Sequence, residues 1–118
     1  MTFAERIRNV IPLGPGSGFT EQQARFIVTV ALHSGYCLRR QYAAFTGRQY
    51  GQNVRDFLDG LVTRHLARRF TYREDRGYIY HLYARSLFQA IQQDHNRNRR
   101  YSGPSPIARS PLGYSRLL

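Results

Sequence analysis

Apolar residues recur at Val54, Phe57, Leu58, Leu61, Val62, His65 and Leu66, the three-and-four spacing of one helical face. This predicts a long amphipathic helix over residues 53–68 with that face buried. Asn53 is placed to cap its N-terminus, and Asp56 puts a negative charge in the first turn, where the helix dipole is positive. Upstream, Leu38, Tyr42 and Phe45 repeat at intervals of four and three, and Gly47 stands where a helix ends in a left-handed residue. This is a second, shorter helix. Gly47-Arg48-Gln49-Tyr50-Gly51 then turns the chain between the two, with glycines at both ends to allow left-handed backbone angles. Beyond the long helix the period changes. Residues 70–73 and 78–83 are rich in aromatic and β-branched side chains, and Glu74-Asp75-Arg76-Gly77 between them reads as a turn, so a β-hairpin is expected.

On either side the pattern is helical again. Thr20 and Gln23 have the spacing of a capping box, leading into a helix with Ala24, Ile27, Val28, Ala31 and Leu32 on one face and Gly35 after its end. Before it, residues 12–18 (Pro-Leu-Gly-Pro-Gly-Ser-Gly) have the composition of a linker, and Phe3, Ile7, Val10 and Ile11 predict a short first helix. After the hairpin a last helix is expected over residues 86–95, with Leu87, Ala90 and Ile91 inward. The tail that follows has five arginines, no acidic residue and little periodicity, which predicts a disordered basic segment. The organisation expected is a short helix and linker over 1–19, a domain over 20–95 and a tail over 96–118. Its fold class is mainly α with a small β-hairpin.

The order helix, turn, helix, hairpin over residues 38–83 resembles the winged helix-turn-helix DNA-binding domains, such as bacterial MarR-like and PadR-like regulators. Leu38-Arg39-Arg40-Gln41-Tyr42-Ala43-Ala44-Phe45-Thr46-Gly47, with Tyr80-His81-Leu82-Tyr83 and Asn96-Arg97-Asn98-Arg99-Arg100, is also similar to small winged-helix proteins carried on bacterial mobile elements. The likeness covers residues 20–95. It implies a small transcriptional regulator that reads duplex DNA with the long helix, touches it with the hairpin as a wing, and dimerises through its first and last helices. The alternative for those two helices is that they close the core of their own domain.

Charge supports a polyanionic partner. Eighteen basic residues against seven acidic ones give a net charge of +11 and a pI near 10.8. Every one of the eighteen is Arg, so each can pair bidentately with phosphate or with a guanine edge. A GC-rich genome would also explain the absence of Lys, though not the net charge. Residues 1–50 carry +4, residues 51–96 carry +2 and the tail +5. The single cysteine, Cys37, excludes an intramolecular disulfide, and neither a signal peptide nor a membrane-crossing apolar run is visible, so a cytoplasmic protein is expected.

The candidate DNA-binding residues follow from these placements. Arg39 and Arg40 at the start of the shorter helix are expected on phosphate. Arg48, Gln49 and Tyr50 in the turn, with Gln52, Asn53 and Arg55 at the start of the long helix, are expected at base edges, where Gln and Asn pair with adenine and Arg with guanine. Arg73 and Arg76 belong to the wing, and Arg97, Arg99 and Arg100 give the tail non-specific affinity. One feature opposes this. The outward stripe of the long helix reads Gln52, Asp56, Asp59, Gly60, Thr63 and Ala67, flanked by Arg55 and Arg64; two carboxylates would face phosphate, and the small residues also suit a protein partner. The rival function is therefore a protein-interaction module whose basic tail supplies nucleic-acid affinity. No enzyme is expected. His65-Leu66-Ala67-Arg68 has the H-x-x-R spacing of tyrosine recombinases, but His65 falls on the apolar face and the chain is too short for that catalytic domain. The histidines and Cys37 lack metal-ligand spacing, there is no glycine-rich phosphate loop, and neither a cofactor nor a small-molecule ligand is indicated. The hairpin tyrosines Tyr72, Tyr78 and Tyr80 alternate as strand core residues do, which outweighs a role in stacking on single-stranded bases.

Overall fold

Two capping boxes begin the chain's first helices. In the computed structural model, which describes residues 1–47, 51–72 and 77–100, α1 (Phe3–Val10) starts with Thr2 and Glu5 each accepting the other's backbone N–H. α2 (Glu21–His33) starts with the same exchange between Thr20 and Gln23, at 3.1 and 2.9 Å. Gly35, at φ 86°, turns the chain out of α2 into a short strand, β1 (Tyr36–Leu38). α3 (Arg39–Thr46) follows directly; the Leu38 N–H donates to the Gln41 side-chain oxygen at 2.8 Å, and Gly47 ends the helix at φ 71°. α4 (Gln52–Thr63), β2 (Ala67–Tyr72), β3 (Gly77–Leu82) and α5 (Arg85–Ala90) complete the series, with 3₁₀ turns at Ile11–Leu13 and Arg97–Arg99.

The structure is mainly helical with a small antiparallel sheet of three strands in the order β1, β3, β2. The hairpin register pairs Ala67 with Leu82, Arg69 with Tyr80 and Tyr72 with Gly77, and β1 adds Tyr36 opposite His81 and Leu38 opposite Ile79. β1 was not expected: three residues are too few to show a period of two.

Other boundaries differ from the sequence reading. α4 starts at Gln52, with Gly51 as its N-cap, so Asn53 lies inside the first turn rather than capping it. The helix also ends at Thr63, not at residue 68. His65 takes a left-handed conformation (φ 61°), its N–H bonds to the Val62 carbonyl at 3.0 Å and that of Leu66 to the Leu61 carbonyl at 2.9 Å, a Schellman closure. His65 is exposed rather than part of the buried face, and β2 begins at Ala67, three residues before the strand expected. α5 stops early in the same way. Gln92 is left-handed (φ 55°) and the Gln93 N–H reaches the Phe88 carbonyl at 2.8 Å.

One apolar core joins the helices to the sheet, with Val10, Phe26, Ile27, Leu58, Leu61, Tyr80, Leu82, Leu87, Phe88 and Ile91 almost fully buried. α1 belongs to it through Ile7 and Val10. The Pro/Gly stretch therefore folds back instead of spacing α1 away: Phe19 is buried, and its N–H donates to the Ile11 carbonyl at 2.9 Å. α1 also bonds to the end of α5, from Arg6 Nε to the Ile91 carbonyl and from Asn9 Nδ2 to the Ala90 carbonyl, both at 3.0 Å. The first and last helices thus bury apolar faces in their own core. Residues 97–100, assigned to a disordered tail, are docked as well, since the Asn98 side chain donates to the Ala31 carbonyl at 3.0 Å and the Asn98 backbone carbonyl accepts from His81 Nε2 at 2.9 Å. Among the described residues no helix is long and apolar enough to cross a membrane.

Candidate nucleic-acid interface

An aromatic cluster sets α3 and α4 against the rest. Phe26 of α2 meets Tyr42 and Phe45 of α3 edge-on, with centroids at 4.9 and 5.3 Å, and Tyr42 stacks on Phe57 of α4 at 4.3 Å. With Val54, Phe57, Leu58 and Leu61 turned inward, α4 leaves Gln52, Asn53, Arg55, Asp56 and Thr63 exposed and Asp59 and Gly60 half-exposed. Ala67, the last member of the stripe read from the sequence, is buried in β2.

The Asp59 carboxylate is enclosed by three donors. Arg39 reaches both its oxygens at 3.2 and 3.1 Å, Arg69 of β2 donates to Oδ1 at 3.1 Å, and the Tyr80 hydroxyl donates to Oδ1 at 2.6 Å while accepting from Arg39 Nε at 2.9 Å. Arg39 also lies over the rings of Tyr78 (4.7 Å) and Tyr80 (5.8 Å), and Arg69 over Tyr78 (4.4 Å). Partial burial pushes the Asp59 pKa up, but the hydrogen bonds from Tyr80, Arg39 and Arg69 outweigh it and hold the carboxyl below its ordinary range. Burial, followed by the bond to Asp59, pushes the Tyr80 phenol well above its ordinary value. Asp59 therefore does not present a bare negative charge outward: with two guanidinium groups on it the cluster is net positive. It also ties α3, α4 and both hairpin strands at one point.

Arg39, expected on phosphate, is committed to this cluster, its side chain only 13% exposed. Its neighbour Arg40 is exposed. The second carboxylate of the stripe, Asp56, accepts a 2.6 Å bond from Gln52 Nε2. Asn53 and Arg55 point to solvent. Arg64 bonds to the Leu13 and Gly14 carbonyls at 3.1 and 3.0 Å and so fastens the Pro/Gly stretch to α4. Arg48, Gln49 and Tyr50, expected at base edges, and Arg73 and Arg76, expected on a wing, lie outside the described residues. Arg97 and Arg100 are exposed and Arg99 half-buried, in the segment whose Asn98 docks against His81. Arg69 was missed by the sequence reading, because nothing along the chain marks the partner of Asp59 ten residues away in another element.

No known protein family, curated protein or solved structure matches this chain. Gly51, the N-cap of α4, has no side chain to cap the first turn, so among the described residues no side chain accepts from the N–H groups of Gln52 and Asn53 at the positive end of this twelve-residue helix. Beside it a cleft of about 400 Å³ runs along one flank of α4, floored by Phe19, Tyr42, Val54 and Phe57 and edged by Asn53, Asp56 and Arg64. Cys37 is not a candidate nucleophile; burial pushes its thiol up to about 12. Among the described residues no three His, Cys, Asp or Glu side chains converge as a metal site.

Proposed function

We propose that this protein is a winged helix-turn-helix, sequence-selective double-stranded DNA-binding protein acting as a small transcriptional regulator, with α3 and α4 as the helix-turn-helix and β2–β3 as the wing. The observation that carries the reading is the outward face of α4. Its uncapped N-terminus presents backbone N–H groups that suit a phosphate, and Gln52, Asn53 and Arg55 beside it are side chains able to pair with base edges. Arg39 and Arg69 cancel the charge of Asp59, which removes the main objection to a groove-facing stripe. Arg40 at the start of α3 then adds a phosphate contact, and Gly60, where a Cβ would meet nothing within 4 Å, leaves the helix narrow enough for close approach. The net charge of +11 supplies affinity by counterion release.

The test is substitution on that face. Gln52→Ala with Asn53→Ala should weaken binding to the preferred duplex about 10–100-fold while changing random-duplex binding little, and Arg55→Ala should weaken both. An equal loss on both duplexes for the Gln52/Asn53 variant contradicts base reading.

The cleft along α4 supports a second reading, a protein-interaction module. Phe19, Tyr42 and Phe57 would accept an apolar side chain of a partner, with Asp56 and Arg64 at the rim, while the basic tail binds nucleic acid without regard to sequence. Binding that is weak, salt-sensitive and indifferent to sequence favours this alternative.

A further inference from the structure

Side chains alternate along β2 and β3, so neighbouring arginines go to opposite faces of the sheet. Arg69 and Tyr80 are partners in the register and meet Asp59 of α4 on one face; Arg68 and His81 are the next pair and lie on the other. That second face is where residues 96–100 dock. His81 is fully buried and stacks on Tyr36 with centroids 4.4 Å apart. A carbonyl can only accept, so His81 Nε2 carries the proton donated to the Asn98 oxygen. Asn98 reaches the Ala31 carbonyl with its side chain and donates its own N–H to the Asn96 side-chain oxygen at 2.8 Å, which caps the 3₁₀ turn. Gly35 makes room: a Cβ there would lie 2.4 Å from the Asn98 oxygen.

This docking holds the backbone of residues 96–100 against the sheet face that also carries Arg68, with Arg97 and Arg100 exposed and Arg99 half-buried. Arg68 is held over the Tyr83 ring at 4.5 Å, and its charge reaches His81, helping to lower the pKa of that ring. None of these four arginines has an ion-pair partner among the described residues, whereas Arg39 and Arg69 on the opposite face share Asp59. Residues 85–100 contain a single acid, Asp94. The surface offers no apolar anchor of the kind an interfacial membrane contact requires, since the large apolar side chains exposed among the described residues are Met1 and Phe3 at α1.

Resting on the DNA reading above, we infer that the outer sheet face, with Arg68, Arg97, Arg99 and Arg100, is a second duplex-binding surface that grips phosphate without reading sequence, so that one molecule bridges two DNA segments, one on α4 and one across the sheet. The experiment immobilises a biotinylated duplex on streptavidin, adds the full-length protein, and measures retention of a second, fluorescent duplex at about physiological salt. Retention should be clear for the native chain, fall about tenfold or more in the strap variant, Arg97→Gln/Arg100→Gln in the docked segment 96–100, and persist in Arg8→Gln/Arg25→Gln, which removes the same charge elsewhere. The strap variant should still bind the first duplex, and the salt slope for the second should drop by about 2. Equal loss in both variants, or full retention in the strap variant, overturns the inference. Native protein that binds the first duplex and retains no second one overturns it too and leaves the DNA reading standing, whereas protein that binds neither ends both. Binding to vesicles of anionic lipid in preference to duplex, lost in the strap variant, assigns the face to a membrane and also overturns it.

Discussion

Asp59 decides how the residues around it are understood. Read along the chain it is a second carboxylate on an outward helical stripe; in space it accepts from Arg39, Arg69 and Tyr80 and so joins α4 to α3, β2 and β3. Asp59→Ala would leave a largely buried guanidinium and a buried phenol without their acceptor, at a cost of about 1–3 kcal/mol, checked by urea unfolding. A variant as stable as the native chain contradicts the assigned role. It also follows that Arg39→Ala acts on folding as well as on binding, which separates it from Arg55. His81 yields a pH dependence. Burial, aided by the charge of Arg68, holds its folded pKa below the ordinary 6.5, although the bond to Asn98 opposes this. The unfolded chain thus binds the additional proton first. The stability contributed by neutral His81 is full above 6.5 and declines as pH falls from there toward the folded value. Unfolding midpoints measured from about pH 7.5 down to about pH 5 should fall; a flat or rising profile contradicts the assignment.

At the scale of elements, legibility followed the chemistry of helix ends. Where a helix ends in a left-handed glycine, at Gly35 and Gly47, the sequence placed the stop correctly. Where the left-handed residue is His65 or Gln92, no glycine announces it, and both helices were read several residues too long. The same error put His65 on the buried face and delayed the start of β2. The capping box at Thr20 was legible because both its members are local. β1 was not, because its identity comes from pairing with β3, more than forty residues away in the chain. The candidate surface was legible to a similar degree: Gln52, Asn53 and Arg55 lie outward as a helical wheel requires, while the roles of Arg39, Arg64 and Arg69 depend on contacts between elements. Within α4, Gly60 offers a clean prediction. A Cβ there meets nothing within 4 Å, so Gly60→Ala should raise stability by about 1 kcal/mol, read as a higher unfolding midpoint. An unchanged or lower midpoint would mean that the helix needs glycine for a reason its packing does not reveal.

Over the whole molecule, the arginines differ in their partners: Arg39 and Arg69 share Asp59 where α4 meets the hairpin, whereas Arg68, Arg97, Arg99 and Arg100 have no ion-pair partner among the described residues. α1, expected outside the domain, adds Ile7 and Val10 to the main apolar core, while residues 96–100, also expected outside it, dock through hydrogen bonds of Asn98 to His81 and Ala31. The proposed function rests on the α4 surface reading DNA sequence. Its most direct test is selection of bound duplexes from a random library by the full-length protein at about physiological salt. An enriched motif, lost in the Gln52→Ala/Asn53→Ala variant, is the result predicted; two inverted copies about one helical turn apart would further indicate a dimer. A bound pool as random as the input, with affinity that vanishes as salt rises, would contradict the claim and leave the interaction module as the better account.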